Sequence, residues 1–306
     1  MPADPVRGTV VFGFFQEHSE RDYGMRHLQG KAALVTGAAS GIGRAIALRL
    51  AAEGVRSYLL DVNAAGLAET VDQCKRRGVD AIGRRCDLTR PAEISSAVDY
   101  VLEQWNGVDL LVNNAGITYY GRTADMAAEH WDRLLAINLH APIQLTRELL
   151  PTLLDRGEAH VLNVASVCGL VGLGRVTAYT TSKFGLVGFS ESLRAEYARR
   201  GLGVTALCPG FADTNLFTAA PLGADRQSHK TPPKWTLATP EKIADCAIRG
   251  IRRNRAVVVV QPYAHALVAL KRFAPWLLDG VNRFSRKRRT PTPPPAATAA
   301  EDRRAA

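Results

Sequence analysis

The chain has 306 residues, 46% of them hydrophobic, enough to bury the core of one large α/β domain. No apolar run approaches the roughly 20 residues of a membrane-spanning helix, and VVFGFF, Val10 to Phe15, is too short and too weakly flanked by positive charge for a secretory signal. The net charge of +10 sits in one place: between Arg249 and Arg289 eleven Lys and Arg meet the single acid Asp279, whereas residues 1–248 and 290–306 each balance. A neutral body argues against a nucleic-acid-binding core and makes the basic segment a separate question.

Residues 1–30 read as an irregular extension. Met25 stands six residues before Lys31, so residues 1–24 lie either upstream of the true start or form a real lead-in. From Lys31 onward, short apolar runs alternate with helical patterns. Strands are predicted at Ala32–Thr36, Ser57–Asp61, Ala81–Cys86, Leu110–Asn113, Val161–Ala165, Val204–Cys208 and Ala256–Val260. Helices are predicted at Gly43–Glu53, Ala64–Arg77, Pro91–Trp105, Ala127–Leu154, Tyr179–Arg200 and Pro240–Ile251. This alternation implies parallel pairing through right-handed crossovers. The fold class is therefore α/β, a doubly wound parallel seven-stranded sheet (a Rossmann fold) in a single domain, residues 31–262.

Phe211 to Thr239 is too long for a simple connection and reads as a lid or an unstructured loop. Residues 263–289 form a basic amphipathic segment, and the Pro- and Ala-rich residues 290–306 read as a disordered tail. Five cysteines, Cys74, Cys86, Cys168, Cys208 and Cys246, form no CxxC pair. They read as reduced thiols of a cytoplasmic protein, with no metal site.

The stretch TGAASGIGRAIALRL, Thr36 to Leu50, puts Gly37, Gly41 and Gly43 between a strand and a helix. Such glycines let a backbone approach a pyrophosphate, and the helix N-terminus offers free N–H groups to it. The next strand ends in Asp61, 18 residues after Gly43, where a carboxylate can accept hydrogen bonds from an adenosine ribose. It would repel a 2′-phosphate, which favours NAD, while Arg44 nearby keeps NADP open.

These residues resemble the short-chain dehydrogenase/reductase family, over about Lys31 to Val260, three quarters of the chain. Thr36-Gly37-x3-Gly41-x-Gly43 is similar to the family's cofactor loop. Asn113-Asn114-Ala115-Gly116 matches its NNAG after the fourth strand, Asp87 its adenine-side acid, and Pro209-Gly210 with Thr214 its nicotinamide-side segment. The resemblance implies an NAD(P)-dependent oxidoreductase. Its cofactor would be held by Gly37, Ser40, Gly41, Ile42, Gly43, Asp61, Asp87, Leu88, Asn114, Ala115, Gly116, Tyr179, Lys183, Pro209, Gly210 and Thr214.

Ser166, Tyr179 and Lys183 lie in SVCGLVGLGRVTAYTTSK. Tyr179 and Lys183, four apart on a predicted helix, share a face. A free tyrosine has a pKa of about 10, too high for a base at neutral pH. A lysine ammonium at about 4 Å attracts a phenolate by about 4 kcal/mol at an effective dielectric of about 20. At about 1.4 kcal/mol per pH unit, this predicts a phenol lowered by about two or three. Ser166 can orient a substrate oxygen. By resemblance Asn138 is the fourth catalytic position, holding a water that relays protons through Lys183, which also holds the nicotinamide ribose. The sequence departs from the family after Asn138, with Ala141-Pro142 where Gly is frequent, and a slight bend is expected.

The substrate pocket is expected from Ser166, Cys168, Tyr179, Leu173 and Phe211, with Ile117, Leu170, Val171, Leu216 and Phe217. Nearly all are apolar, which predicts a small hydrophobic secondary alcohol or ketone such as a steroid, a lipid-derived alcohol, a terpenoid or a xenobiotic. The alternatives are a reductase of 3-oxoacyl thioesters and a non-catalytic dinucleotide-binding regulator. After the last strand, Leu267, Leu270, Phe273, Trp276, Leu277, Val281 and Phe284 approach a helical stripe among Lys and Arg, the pattern of a helix on an anionic membrane. The other reading is packing on the chain's own domain or on a second subunit. The resemblance further implies a homodimer or homotetramer through the two longest helices.

Overall fold

The computed structural model describes residues 25–214, 216, 221–223 and 232–285. The expectations for residues 1–24, for Phe217 and much of the 211–239 loop, for Arg286 to Arg289 and for the 290–306 tail fall outside these residues.

Seven strands form one parallel sheet in the order β3-β2-β1-β4-β5-β6-β7. They are β1 (Ala32–Thr36), β2 (Arg56–Asp61), β3 (Ala81–Arg85), β4 (Leu110–Asn113), β5 (Ala159–Val164), β6 (Leu202–Cys208) and β7 (Val257–Val259). The helices between them are α1 (Gly41–Ala52), α2 (Ala64–Lys75), α3 (Pro91–Trp105), α4 (Ala128–Leu135), α5 (Ala141–Asp155), α6 (Thr177–Tyr197) and α7 (Pro240–Arg252). Two more, α8 (Pro262–Phe273) and α9 (Pro275–Ser285), follow β7.

Successive strand side chains point to opposite faces, so each strand feeds two cores. Ala33 and Val35 pack with Leu59, Val112, Leu162 and Leu207 against α1, α2 and α7. Ala32 and Leu34 pack with Tyr58, Leu60, Leu111, Val161 and Val204 against α3, α5 and α6. Each fully buried Leu or Val contributes about 1.5–3 kcal/mol, which is why the strands read as unbroken apolar runs. Met25 and Leu28, ahead of β1, are also buried in the first of these cores. The strand order reverses between β1 and β4. In open α/β sheets, ligands bind outside the carboxyl ends of strands at such a reversal.

One predicted helix is three pieces. The Ala127–Leu154 pattern runs as α4, a π-helical turn over Ala136–His140, and α5. Pro142 has no N–H to give the carbonyl of residue 138, and its ring crowds that carbonyl, so the α ladder cannot pass through. Asn138 therefore sits in the π turn, fully buried. The bend expected from Pro142 is a change of helix type. The β5 and β6 strands begin earlier than their apolar runs because Ala159, His160, Leu202 and Gly203 pair in register.

His160 lies at the amino-terminal end of β5, away from the carboxyl ends of the strands. Its Nε2 meets Thr205 Oγ1 at 2.9 Å, Thr205 Oγ1 donates to Arg255 O, and Nδ1 has no partner. Burial pushes its pKa down to about 3 from the usual value of about 6.5. The unfolded chain therefore binds this proton and the native one does not. Stability is expected to be full above pH 6.5 and to fall towards pH 3 by at most about 1.4 kcal/mol per pH unit from this group. Urea unfolding of wild type and His160→Gln across that window checks this, since the variant loses that share of the slope.

Candidate active site

The glycine loop leaves β1 and enters α1. Ser40 caps the helix in extended backbone, and Gly41 has φ +53°, a left-handed conformation that favours glycine. At Gly43 the constraint is space. An added methyl would fall on the Gly37 carbonyl and the Asn114 amide. The β4 end closes the cradle: Asn114 Nδ2 donates to Thr36 O at 2.9 Å and Gly37 O at 3.2 Å, and Thr36 Oγ1 accepts from Asn114 N and Ala115 N. The side chain of Asn114 thus builds the loop. No acid sits in the first turn of α1, so its N–H groups present an unopposed positive end.

Asp61 ends β2 and accepts from Ala39 N and Asn63 N, each at 2.9 Å, which fixes its carboxylate beside the loop. Arg44, the residue that kept NADP open, is committed elsewhere. Its guanidinium donates to Thr70 Oγ1, Ala39 O, Gly66 O and Glu69 Oε2. Asp87 accepts from Thr89 N and Thr89 Oγ1, and those bonds hold its carboxyl below the usual range.

Ser166 leaves β5, and its Oγ accepts from Cys168 N at 3.1 Å. Tyr179 and Lys183 lie on the buried face of α6, 5% and 3% exposed. Lys183 Nζ donates to Val164 O at 2.8 Å and stands 5.7 Å from the centre of the Tyr179 ring. The lowered phenol expected from the sequence is not what this arrangement gives. Burial raises Tyr179, with a hydrogen bond from Ser166 pulling only partly the other way, and burial lowers Lys183 to about 8. Desolvation is the largest influence on both groups. Tyr179 therefore carries its proton at neutral pH.

The side chain of Asn138 has three partners. Its Oδ1 accepts from Ile117 N at 2.9 Å, and its Nδ2 donates to Ile117 O and Ser182 Oγ. The side chain is occupied in fixing the segment after Gly116 against α6. A Cβ on Gly116 would lie 3.3 Å from Asn138 Oδ1 and 3.5 Å from Lys183 Nζ, so this glycine separates the two residues.

One cavity of about 570 Å³ joins these parts. It is lined by Gly37, Ser40, Gly41, Ile42, Asp61, Asp87, Leu88, Asn114, Ala115 and Gly116, and by Ser166, Tyr179, Lys183, Pro209, Gly210 and Thr214. Gly43 and Asn138 lie behind that wall. Of the residues expected to touch substrate, Ser166 and Tyr179 line the cavity with Ile117 and Leu216. Cys168 packs against Tyr179 in a buried cluster, Leu173 is 37% exposed, and neither lines the cavity; nor does Phe211. The cavity is also lined by residues the sequence reading missed: Thr118, Tyr119, His130, Arg133, Leu134, Ile137 and Pro221. Most come from the α4 side, where only the fold brings them near β4.

Gln261 and Tyr263, at the start of α8, were also missed. Gln261 Oε1 accepts from Gly210 N at 2.6 Å, Gln261 Nε2 donates to Phe211 O at 2.8 Å, and Tyr263 Oη accepts from Phe211 N at 2.8 Å. The loop between Pro209 and Thr214 thus hangs on two side chains some fifty residues away. Gln261→Leu strands a buried N–H and a C=O, so unfolding stability is expected to fall by about 1–3 kcal/mol. NADH affinity is expected to fall about tenfold, since each about 1.4 kcal/mol is a factor of ten. Thermal unfolding and NADH fluorescence titration measure both.

The family described as short chain dehydrogenase matches residues 31–223. A provisionally named ketoacyl reductase of Streptomyces coelicolor is 39% identical over 211 residues, 68% of this chain and 78% of that protein. The mouse protein 17-beta-hydroxysteroid dehydrogenase 13 is 32% identical over 250 residues, 81% of this chain and 79% of that one. A short chain dehydrogenase/reductase of Burkholderia phymatum, solved in complex with NAD, aligns with a TM-score of 0.73 at 28% identity, over 89% of this chain and all of that one. With the glycine loop, the strand reversal and the Tyr179–Lys183 pair in one cavity, these matches place the chain in the short-chain dehydrogenase/reductase family. It is an oxidoreductase of CH–OH groups that uses a nicotinamide dinucleotide. Among the described residues no helix is long and apolar enough to cross a membrane, and no group of three His, Cys, Asp or Glu is placed to hold a metal ion.

Proposed function

We propose that this chain is an NAD-preferring reductase and dehydrogenase of hydrophobic secondary alcohols and ketones, with Tyr179 as its acid and base. The observation that carries the reading is the single cavity running from the glycine cradle and Asp61 to Ser166, Tyr179 and Lys183. The cradle fits a dinucleotide because Gly43 leaves room for the loop to close on the Gly37 carbonyl and the Asn114 amide, and because the first turn of α1 carries no acid. Gly37, Ser40, Gly41 and Ile42 would hold the pyrophosphate, Asp61 the ribose, and Asp87 with Leu88 the adenine side. Pro209, Gly210 and Thr214 would hold the nicotinamide side. When bound, the nicotinamide supplies or accepts the hydride.

The protein's part is proton transfer and orientation. Tyr179 gives its hydroxyl proton to a carbonyl oxygen in reduction; in oxidation it takes one from an alcohol after its own proton has left towards Lys183 and solvent. Burial keeps it protonated at neutral pH, the state that reduction needs. Ser166 Oγ orients the substrate oxygen. Lys183, near 8, can return a proton to Tyr179 at neutral pH. Asn138 keeps Ile117 and Ser182 in place around them. NAD is favoured over NADP because Asp61 is fixed beside the loop while Arg44 is tied to α2 and the loop carbonyl of Ala39.

Ile117, Tyr119, Leu134, Ile137 and Leu216 give the cavity an apolar wall, and the likeness to a hydroxysteroid dehydrogenase supports an apolar substrate. The names of the ketoacyl reductase relatives support a second reading, reduction of 3-oxoacyl thioesters. A homodimer or homotetramer through α5 and α6 in the cytoplasm accords with the part-exposed Phe184 on α6 and with five free cysteines. Purified protein is to be assayed on apolar secondary alcohols, on small hydroxy acids and sugars, and in reverse on 3-oxoacyl thioesters, with each cofactor. Faster turnover of the apolar alcohols with NAD⁺ is the expected result. Preference for the polar set, or for thioesters, would overturn the substrate assignment, and preference for NADP⁺ would overturn the role given to Asp61.

A further inference from the structure

The junction between α8 and α9 leaves large apolar side chains in solvent. Phe273 is 74% exposed, Trp276 65% and Leu277 52%. They flank Ala274 and Pro275, where the backbone leaves the helix and Pro275 opens the next one. Scattered exposed apolar residues need no explanation, but three large ones within five positions form one patch.

Cations accompany them. The Arg272 guanidinium lies 6.0 Å from the centre of the Phe273 ring, and Lys271 precedes it. In sequence, Arg283, Arg286, Lys287, Arg288 and Arg289 follow, with Asp279 as the lone acid. This charge balances nothing in the rest of the chain, since residues 1–248 sum to zero. We propose that the α8–α9 junction docks on an anionic lipid surface, with the rings in the headgroup boundary, Arg272 beside them at the lipid phosphates, and the basic sequence that follows adding to the attraction. Trp beside Lys and Arg suits that boundary, where one side is apolar and the other wet and negatively charged.

The patch is tied to the active site at both ends of α8. Gln261 and Tyr263 hold the Gly210–Phe211 loop, and Lys271 Nζ donates to Leu170 O, four residues after Ser166. Docking there sets the cavity beside the phase in which a hydrophobic substrate dissolves. The proposal itself concerns binding and stands apart from the substrate assignment.

The test is co-sedimentation of the full chain with vesicles of phosphatidylcholine alone and of phosphatidylcholine with phosphatidylglycerol. Binding to the anionic vesicles at low salt, with weak binding to the neutral ones, is expected. The triple variant Phe273→Ser, Trp276→Ser, Leu277→Ser is expected to bind at least about tenfold less tightly with an unchanged unfolding midpoint. Trp276→Ser alone serves if the triple variant does not fold, with a smaller loss in the same direction. No binding by wild type overturns the proposal, and so does equal binding by the variants. Light scattering decides the remaining outcome: a variant that loses oligomeric order, in a protein that ignores vesicles, makes the patch a contact between copies of the chain.

Discussion

Tyr179→Phe is expected to lower kcat for ketone reduction by about 10²–10⁴-fold, the range a positioned acid supplies. The substitution removes one oxygen. The ring stays in its cluster with Tyr119, Val167, Cys168 and Val176, so packing is retained. The loss of fold stability is therefore expected to be small, and NADH is expected to bind nearly as before, because the glycine loop, Asp61 and Lys183 are untouched. Steady-state kinetics, thermal unfolding and NADH fluorescence on the same preparation separate these effects. A variant with near wild-type kcat would remove Tyr179 from its role. Loss of activity together with loss of NADH binding would make it a structural residue.

Gly43→Ala is expected to weaken NADH binding by at least about 100-fold, or about 3 kcal/mol. The added methyl would lie on the Gly37 carbonyl and the Asn114 amide. That amide already donates to Thr36 O and Gly37 O, so neither neighbour can yield without opening the loop. Overpacking of this kind also costs about 1–3 kcal/mol of stability. Gly188→Ala, inside α6 with nothing within 4 Å of the new methyl, is the control. It is expected to leave NADH binding unchanged. Wild-type NADH affinity in Gly43→Ala would show that this loop is not the cofactor cradle.

What could be read from the sequence was local. The glycines of the Thr36–Leu50 stretch and the Tyr179–Lys183 spacing each lie on one short segment, and the strand–helix alternation follows from apolar runs that bury on both faces of the sheet. The seven strands and the reversal at β1 and β4 follow the same logic. What could not be read depends on distance or on burial. Gln261 and Tyr263 reach the Gly210–Phe211 loop from across the β7 turn, and no periodicity marks them. His130 and Arg133 enter the cavity lining because α4 packs against α6. Arg44 looked available to a phosphate because sequence does not show that α2 supplies Thr70 and Glu69 to it. Tyr179 was expected lowered because the pair was counted at about 4 Å in a moderately polar medium. In the structure both groups are buried, and burial dominates. Pro142 was visible as a departure, but its effect falls four residues earlier, on the Asn138 turn.

The most direct test of the account follows the hydride. NADH deuterated at the transferring carbon is to be incubated with the protein and an apolar ketone that it turns over, and the alcohol product examined by mass spectrometry. The account predicts one deuterium on the carbinol carbon, formed by wild type and far more slowly by Tyr179→Phe. NADH that binds while no ketone in an apolar series gains deuterium would contradict it.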